Sequence, residues 1–268
     1  MALIPHDYLE AVVSIGLRKD TDIIWIGTGF FVIKPISEGK GLPFLVTNRH
    51  VLNGKQSVTI RLQEKNTGDL KIIDIPLMEN GNLYYSTHDD SNVDIAAVLF
   101  SGSIIKNNNL QFSAINIDND ALISSELIKQ GGDEGSYVYM LGFPMRLVNI
   151  DSTTPICRGG CIARIDEKEI KKMNYFLLDI QNFPGNSGSP IITKPEIYGF
   201  DNEPVLNKSV LIGIVYGYKP YQEQLINSQT NEIVEIRSEN SGIAVVHPVE
   251  FIKEVIEKEM KRCYVDMV

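Results

Sequence analysis

The chain has 268 residues, of which 43% are hydrophobic and 22% are charged, a balance typical of a globular protein rather than a disordered one. Its formal net charge at pH 7 is −9, from 25 Lys and Arg against 34 Asp and Glu, and the basic residues are scattered along the chain. Sequence-independent binding to nucleic acid needs a concentrated basic surface, so we expect no nucleic-acid partner.

No run of 18 consecutive apolar residues occurs, so the sequence predicts no transmembrane helix and no membrane partner. The N-terminus lacks a basic segment followed by a continuous apolar run, which makes it a poor secretory signal. Cys157, Cys161 and Cys263 are an odd set of cysteines, without the second ligand pair of a structural zinc site. We therefore expect reduced thiols, no metal and a cytoplasmic location.

Short apolar runs, separated by clusters of Gly, Asn, Asp and Pro, dominate the chain and are typical of β-strands joined by turns. The first half contains AVVSIGL, IIWIGTGFFVI, PFLVTNRHVL, SVTIRL, IIDIPL and DIAAVLF. After a polar stretch, the second half contains YVYMLGF, GGCIARI, YFLLDI, SPIIT, VLIGIVYGY and GIAVVHP. Each half therefore carries about six predicted strands.

The last segment changes period, because apolar residues recur every three or four positions from Pro248 to Arg262. This spacing predicts one amphipathic helix, with Pro248 near its first turn. The sequence as a whole predicts an all-β fold of two six-stranded antiparallel β-barrels, over residues 1–118 and 119–247, followed by a C-terminal α-helix and tail over residues 248–268.

A serine between two glycines, Ser187 in FPGNSGSP, lies directly before an apolar strand. A nucleophilic serine needs open space over its Oγ and backbone N–H groups directed at the developing oxyanion. Gly185 removes a side chain from that space, and Gly188 permits a tight chain path. We predict the N–H groups of Gly185 and Ser187 as oxyanion donors. An ordinary turn is the alternative, since Gly, Asn and Ser are preferred in turns.

Among the four histidines, His50 is the best candidate for a general base, because it follows an apolar strand and a polar turn. Asp94 begins an otherwise apolar strand, where a carboxylate is costly to bury unless a group donates hydrogen bonds to it. The His50 Nδ1–H could be that donor, which leaves Nε2 free to accept a proton. The alternative for Asp94 is a turn cap. A surface or capping role is favoured for the other three histidines, His6, His88 and His247.

The candidates occur in the order His, Asp, Ser, as in chymotrypsin-type enzymes, whereas α/β-hydrolases and subtilisins use other orders. At this point the chain resembles the trypsin-like serine peptidases, and within them the bacterial high-temperature-requirement branch and stand-alone relatives. The resemblance lies in GTGFFV with LVTNRHVL, in NVDIAAV and in GNSGSP, and it spans roughly residues 11–251. It implies a catalytic triad of His50, Asp94 and Ser187.

The sequence also departs from the family pattern. Asn186 stands where secreted digestive relatives have an Asp that pairs with a new N-terminus, so activation by that route is not expected. Ser189 stands where Gly is commoner. No PDZ-like segment follows the predicted helix, which puts in doubt the oligomer control seen in many relatives.

The family layout further implies a primary specificity pocket. We assign to it Gln181, Tyr216, Gly217, Tyr218 and Gly242. No acidic residue is expected at its base, so we expect no strong preference for Lys or Arg, and Tyr218 suggests a small or partly occluded pocket. A long excursion over residues 219–241 joins two pocket-lining strands and could control substrate entry; the alternative is a lineage-specific surface insertion.

These residues predict a serine endopeptidase that acts on a protein or peptide substrate without metal or cofactor. A cytoplasmic protease must be restrained, so we expect regulation, including a latent form that needs an activating partner. The alternative is a catalytically inactive protease-like module that binds peptides or serves as a scaffold, although a binding module would not need an intact triad. A bacterial stress or defence role rests on analogy alone.

Overall fold

The structure is a computed structural model, and it describes residues 4–149, 151–196 and 204–265. The strands of the first half are β1 (Val12–Lys19), β2 (Asp22–Ser37), β3 (Lys40–Thr47), β4 (Ser57–Gln63), β5 (Leu70–Pro76), β6 (Met78–Glu79), β7 (Asn82–Leu83), β8 (Ser86–Thr87), β9 (Ala96–Leu99) and β10 (Ile115–Asn116). Those of the second half are β11 (Tyr137–Gly142), β12 (Ile156–Arg164), β13 (Phe176–Asp179), β14 (Pro190–Thr193), β15 (Leu211–Ile226) and β16 (Ile233–Pro248).

Six short or terminal helices accompany the strands. They are α1 (His6–Glu10), α2 (Arg49–Leu52), α3 (Gly102–Asn107), α4 (Ser124–Lys129), α5 (Glu167–Met173) and α6 (Val249–Val265). A 3₁₀ turn spans Pro144–Arg146. No helix among the described residues is both long and apolar enough to cross a membrane.

The first half forms an eight-stranded sheet in the order β5-β4-β1-β2-β3-β9-β8, and β10 pairs in parallel with β2. All six predicted runs are strands in this sheet. The sequence missed β8 and β10, because a two-residue strand has no period to detect. As a result, this half is a sheet of eight strands rather than the expected six. Among the described residues, β5 and β8 are the edge strands at the two ends of this order.

The second half is a closed barrel with the strand order β11-β12-β13-β16-β15-β14. Each neighbouring pair is antiparallel. The six predicted runs supply its six strands. The all-β fold class with a C-terminal helix is therefore confirmed.

Three apolar clusters hold the structure together. One lies within the first sheet around Phe31 and Leu45, and another fills the closed barrel around Leu178 and Val215. The third joins the two halves and includes Phe30, whose side chain lies on the face of β2 opposite to that of Phe31. The buried side of α6 completes this third cluster, through Ile252, Val255 and Ile256. The predicted amphipathic helix thus packs where the two halves meet.

Candidate active site

Strand pairing brings His50 and Asp94 together. Thr47, the last residue of β3, pairs with Ala96, the first residue of β9. His50 lies in the single turn α2 just after β3, and Asp94 lies two residues before β9. The adjacent strand ends therefore place both side chains at the same edge of the sheet.

The Asp94 carboxylate bonds directly to His50. Its Oδ2 lies 2.5 Å from His50 Nδ1, and its Oδ1 accepts the His50 backbone N–H at 3.0 Å. The Asp94 side chain is 17% exposed and that of His50 is 51% exposed. This geometry favours the tautomer in which Nδ1 carries the proton. The lone pair on Nε2 is then free to accept a proton, on an imidazole that is accessible to substrate.

Hydrogen bonds also fix the backbone of Asp94. Its carbonyl accepts the Asn48 side-chain amide at 2.8 Å and the Arg49 N–H at 3.3 Å. Its N–H donates to His247 Nε2 at 3.0 Å. Asp94 is thus fixed through both its side chain and its peptide groups.

His247 is fully buried, which corrects the expectation of a surface or capping role. Its Nδ1 lies 2.6 Å from the Asn174 carbonyl, and its ring stacks on Tyr216 with centroids 3.9 Å apart. Burial lowers the pKa of His247 to about 4. A neutral ring with Nδ1–H donating to Asn174 and Nε2 accepting from Asp94 satisfies both nitrogens. The available sequence signal was that the apolar run GIAVVHP continues through this residue.

Asn174 makes a second contact between the two halves of the protein. It caps α5 in the left-handed region at φ 63°, and its side-chain amide donates to Asp90 at 2.7 Å. Hydrogen bonds from Asn92 and Asn174 lower the pKa of Asp90. Through Asn174 and His247, the closed barrel therefore holds the segment of the first sheet that carries Asp94.

Ser187 lies in the connection between β13 and β14 and is partly exposed. Gly185 and Gly188 occupy positions where the backbone conformation and the neighbouring backbone atoms leave no room for a side chain. Gly185 has φ +101°, and a Cβ there would lie 2.4 Å from the Phe143 carbonyl oxygen. Gly188 has φ +91°, and a Cβ there would lie 2.0 Å from the Thr28 carbonyl oxygen. This stretch is therefore packed against neighbouring backbone and is not a free surface turn.

Thr28, which the sequence reasoning overlooked within GTGFFV, ties the serine segment to the first sheet. Its N–H donates to the Ser187 carbonyl at 2.9 Å, and its hydroxyl donates to the Gly185 carbonyl at 2.7 Å. The same hydroxyl accepts the Phe143 N–H at 3.0 Å. A small polar residue between two glycines of an apolar strand was the signal available in the sequence.

The two predicted oxyanion donors differ from their neighbours in backbone hydrogen bonding. Their neighbours Asn186, Gly188 and Ser189 donate backbone N–H bonds to protein carbonyls at 3.0, 3.0 and 2.8 Å. Among the described residues, the N–H groups of Gly185 and Ser187 have no such acceptor. Two unpaired N–H groups beside a serine hydroxyl can receive a negatively charged oxygen.

The serine hydroxyl is not hydrogen-bonded to the imidazole. Within the described part of the chain, Ser187 Oγ has no hydrogen bond, and His50 Nδ1 is bonded to Asp94. The structure thus assembles the His50–Asp94 pair and leaves the contact between His50 and Ser187 open. Such contacts commonly tighten only when substrate is bound.

The residues assigned to the primary pocket lie near one another. Tyr216 stacks on His247, and burial raises its pKa to about 12. The Gly217 carbonyl accepts the Asn182 side-chain amide at 2.8 Å. Gln181 Nε2 approaches Gly242, within 3.6 Å of where a Cβ would stand, and Tyr218 is exposed on β15. Asn182, which is buried, was missed by the sequence reasoning.

A cleft of about 250 Å³ opens beside Gly185. It is lined by Trp25, Ile26, Met145, Arg146, Pro184 and Gly185. Met145 and Arg146 both have positive φ, at 53° and 59°, and the Met145 N–H donates to Pro184. The described residues contain no group of three or more His, Cys, Asp or Glu arranged to hold a metal ion.

The family model of the trypsin-like peptidase domain matches residues 27–196. A search of curated proteins found no match. Among solved structures, the chain is similar to the MamO protease domain from Magnetospirillum magneticum in its apo form, at 12% identity and a TM-score of 0.47. That alignment covers 93% of this chain and 97% of the other.

Proposed function

The chain belongs to the trypsin-like peptidase family, and from this we propose that it is a serine endopeptidase acting through an acyl-enzyme on Ser187. The main support is the contact of His50 Nδ1 with the Asp94 carboxylate, which leaves Nε2 directed away from Asp94. A carboxylate so placed stabilises the imidazolium that forms when His50 takes a proton. The matched family segment, residues 27–196, includes all three proposed triad residues.

In the proposed reaction, His50 Nε2 takes the Ser187 hydroxyl proton while Oγ attacks the peptide carbonyl carbon. The carbonyl oxygen becomes an oxyanion that accepts hydrogen bonds from the Gly185 and Ser187 N–H groups. His50 then gives the proton to the leaving amine as the C–N bond breaks. Water, deprotonated by His50, attacks the ester and restores Ser187. No step needs a metal or cofactor.

We also propose that the protease is regulated, and the open contact between Ser187 and His50 supports this. Ser187 Oγ makes no hydrogen bond among the described residues, so an activating partner that shifts the serine segment toward His50 would raise activity. The three cysteines are free, and reduced thiols support the proposed cytoplasmic location. We further propose that the Gln181 pocket does not favour Lys or Arg, because Gln181 carries no charge.

A peptide library tests this function. We expect wild-type protein to cleave a subset of peptides without a dominant Lys or Arg before the cut, and Ser187→Ala to cleave none of them. Asp94→Asn should lower kcat by roughly 10⁴, because it removes the carboxylate that holds the imidazole tautomer. Cleavage sites are read by mass spectrometry. Equal cleavage by wild type and Ser187→Ala would show that Ser187 is not the nucleophile.

A further inference from the structure

The segment that carries Asp94 contains no helix or strand. Residues 88–95 join β8 to β9, and Asp94 lies near the end of this segment. Individual hydrogen bonds, rather than a strand ladder, therefore fix the place of its carboxylate. The bonds to the Asp94 carbonyl and carboxylate come from Asn48, Arg49 and His50, which all lie in the same half of the protein as Asp94.

One bond to Asp94 comes from the second half. The Asp94 N–H donates to His247 Nε2 at 3.0 Å, and no other hydrogen bond joins Asp94 to the second half in the part of the chain that the structure describes. The residues on either side, Val93 and Ile95, are fully buried. A backbone N–H between two buried residues needs an acceptor, because a buried donor without a partner is costly. His247 supplies that acceptor.

Contacts from several elements hold the His247 ring in place. His247 pairs with Ile214 across β16 and β15, and its Nδ1 lies 2.6 Å from the Asn174 carbonyl oxygen. Tyr216 stacks on the ring with centroids 3.9 Å apart, and Phe251 of α6 lies edge-on to it at 6.4 Å between centroids. Because the ring is also fully buried, these contacts fix its orientation, and Nε2 is a stationary acceptor.

The two partners of His247 also select one tautomer of its ring. A carbonyl oxygen only accepts, so Nδ1 carries the proton that is donated to Asn174, and a backbone N–H only donates, so Nε2 carries the lone pair. The preceding residues of β16, Val245 and Val246, are buried and apolar, and an apolar side chain would serve packing equally well. Each ring nitrogen therefore has one local use: Nδ1 joins the ring to Asn174, and Nε2 joins it to Asp94.

We propose that His247 is a positioning residue for peptide cleavage: its Nε2 sets the place of Asp94 and, through the Asp94 carboxylate, the orientation of the His50 imidazole. This inference rests on the proposed endopeptidase function. His247 lies in the same half as Ser187, whereas Asp94 and His50 lie in the other half. The bond therefore aligns the proton acceptor of one half with the nucleophile of the other. A displacement of about 1 Å in such a group lowers the rate by roughly 10².

Two amide substitutions separate the two nitrogens of His247. The amide of His247→Gln reaches the position of Nε2 and can accept from Asp94, whereas the shorter amide of His247→Asn reaches only the position of Nδ1. We expect His247→Asn to lower kcat by about 10² with KM changed less than about threefold, and His247→Gln to keep kcat within about fivefold of wild type. His247→Phe keeps the stacked ring but has no acceptor, so it should behave like His247→Asn. Equal loss of kcat in His247→Gln and His247→Asn, or loss in neither, would overturn the inference.

A matched control and a double variant distinguish positioning from general damage to the fold. His88 lies in the same segment, and its Nδ1 accepts the N–H of Asp90 rather than that of Asp94, at 3.0 Å. His88→Asn retains an acceptor near that position, so kcat should stay close to that of wild type. If His247 acts through Asp94, adding His247→Asn to Asp94→Asn should lower kcat by less than about threefold further. A further loss of about 10² in the double variant would contradict a role through Asp94.

A measurement that needs no activity separates this inference from the proposed function. The proton between His50 Nδ1 and the Asp94 carboxylate should give a low-field NMR signal, because a short hydrogen bond deshields its proton, and His50→Ala identifies the signal by its loss. We expect the signal to persist in His247→Gln and to shift or broaden in His247→Asn and His247→Phe. An unchanged signal in these last two variants would refute the positioning role. The expected changes without cleavage of any peptide by wild type would refute the endopeptidase function alone.

Discussion

The two sides of the candidate site are held differently. On the acid–base side, Asp94 is bonded through its carboxylate, its carbonyl and its N–H, and the last of these bonds reaches His247 in the other half of the protein. On the proposed nucleophile side, carbonyl groups are anchored to Thr28, while the N–H groups of Gly185 and Ser187 have no acceptor among the residues that the structure describes. In the proposed mechanism, the groups that orient a proton are fixed, and the groups that receive the substrate oxygen are left open.

The nucleophile side should be the more sensitive to a single added methyl group. Gly185→Ala would place a Cβ 2.4 Å from the Phe143 carbonyl at a φ of +101°, so the backbone must move and misdirect the oxyanion donors. We expect kcat to fall by roughly 10² to 10³. Gly102→Ala is the control, since a Cβ there meets nothing within 4 Å and its φ is ordinary. Equal kcat for both variants would contradict the proposed oxyanion role.

On the acid–base side, we expect low pH, rather than added side-chain volume, to have the larger effect. Folded His247 has a pKa of about 4, against about 6.5 for an unperturbed imidazole. Between these values the unfolded chain binds more protons than the folded one, so the free energy of unfolding decreases as pH falls from 6.5 to 4. The contribution lost is up to about 3 kcal/mol, an order-of-magnitude figure.

Urea denaturation at pH 7, 5.5 and 4 measures this loss. His247→Gln retains an acceptor near the Nε2 position but cannot titrate, so its stability should depend less on pH than that of wild type. Other groups also titrate in this range, and the difference between the two proteins isolates His247. Parallel stability curves would show that His247 is not the buried neutral group described above.

Much of this fold could be predicted from the sequence, because strands with a buried face repeat apolar residues and turns carry Gly, Asn and Asp. The two-residue strands β6, β7, β8 and β10 could not, since pairing partners rather than local pattern create them. At the site, the order and spacing of His50, Asp94 and Ser187 identified the candidates. The local pattern marked His247 and Thr28 as unusual, but the roles of His247, Asn174 and Thr28 could not be predicted, because those roles arise from contacts between residues 73 to 159 positions apart.

The excursion over residues 219–241 shows the same limit. Its length suggested a control loop or a surface insertion, whereas the structure shows β15 and β16 continuing out of the barrel as a paired hairpin. The register of this hairpin depends on which residues pair across it. Local composition alone does not determine that register.

The most direct test of an assembled triad is labelling with a fluorophosphonate, followed by intact mass. We expect one adduct on wild-type protein, none on Ser187→Ala, and strongly slowed labelling of His50→Ala, with circular dichroism showing that all three are folded. A single adduct that requires both side chains would establish Ser187 as a nucleophile activated by His50. An unlabelled, folded wild-type protein, or equal labelling of Ser187→Ala, would contradict that claim.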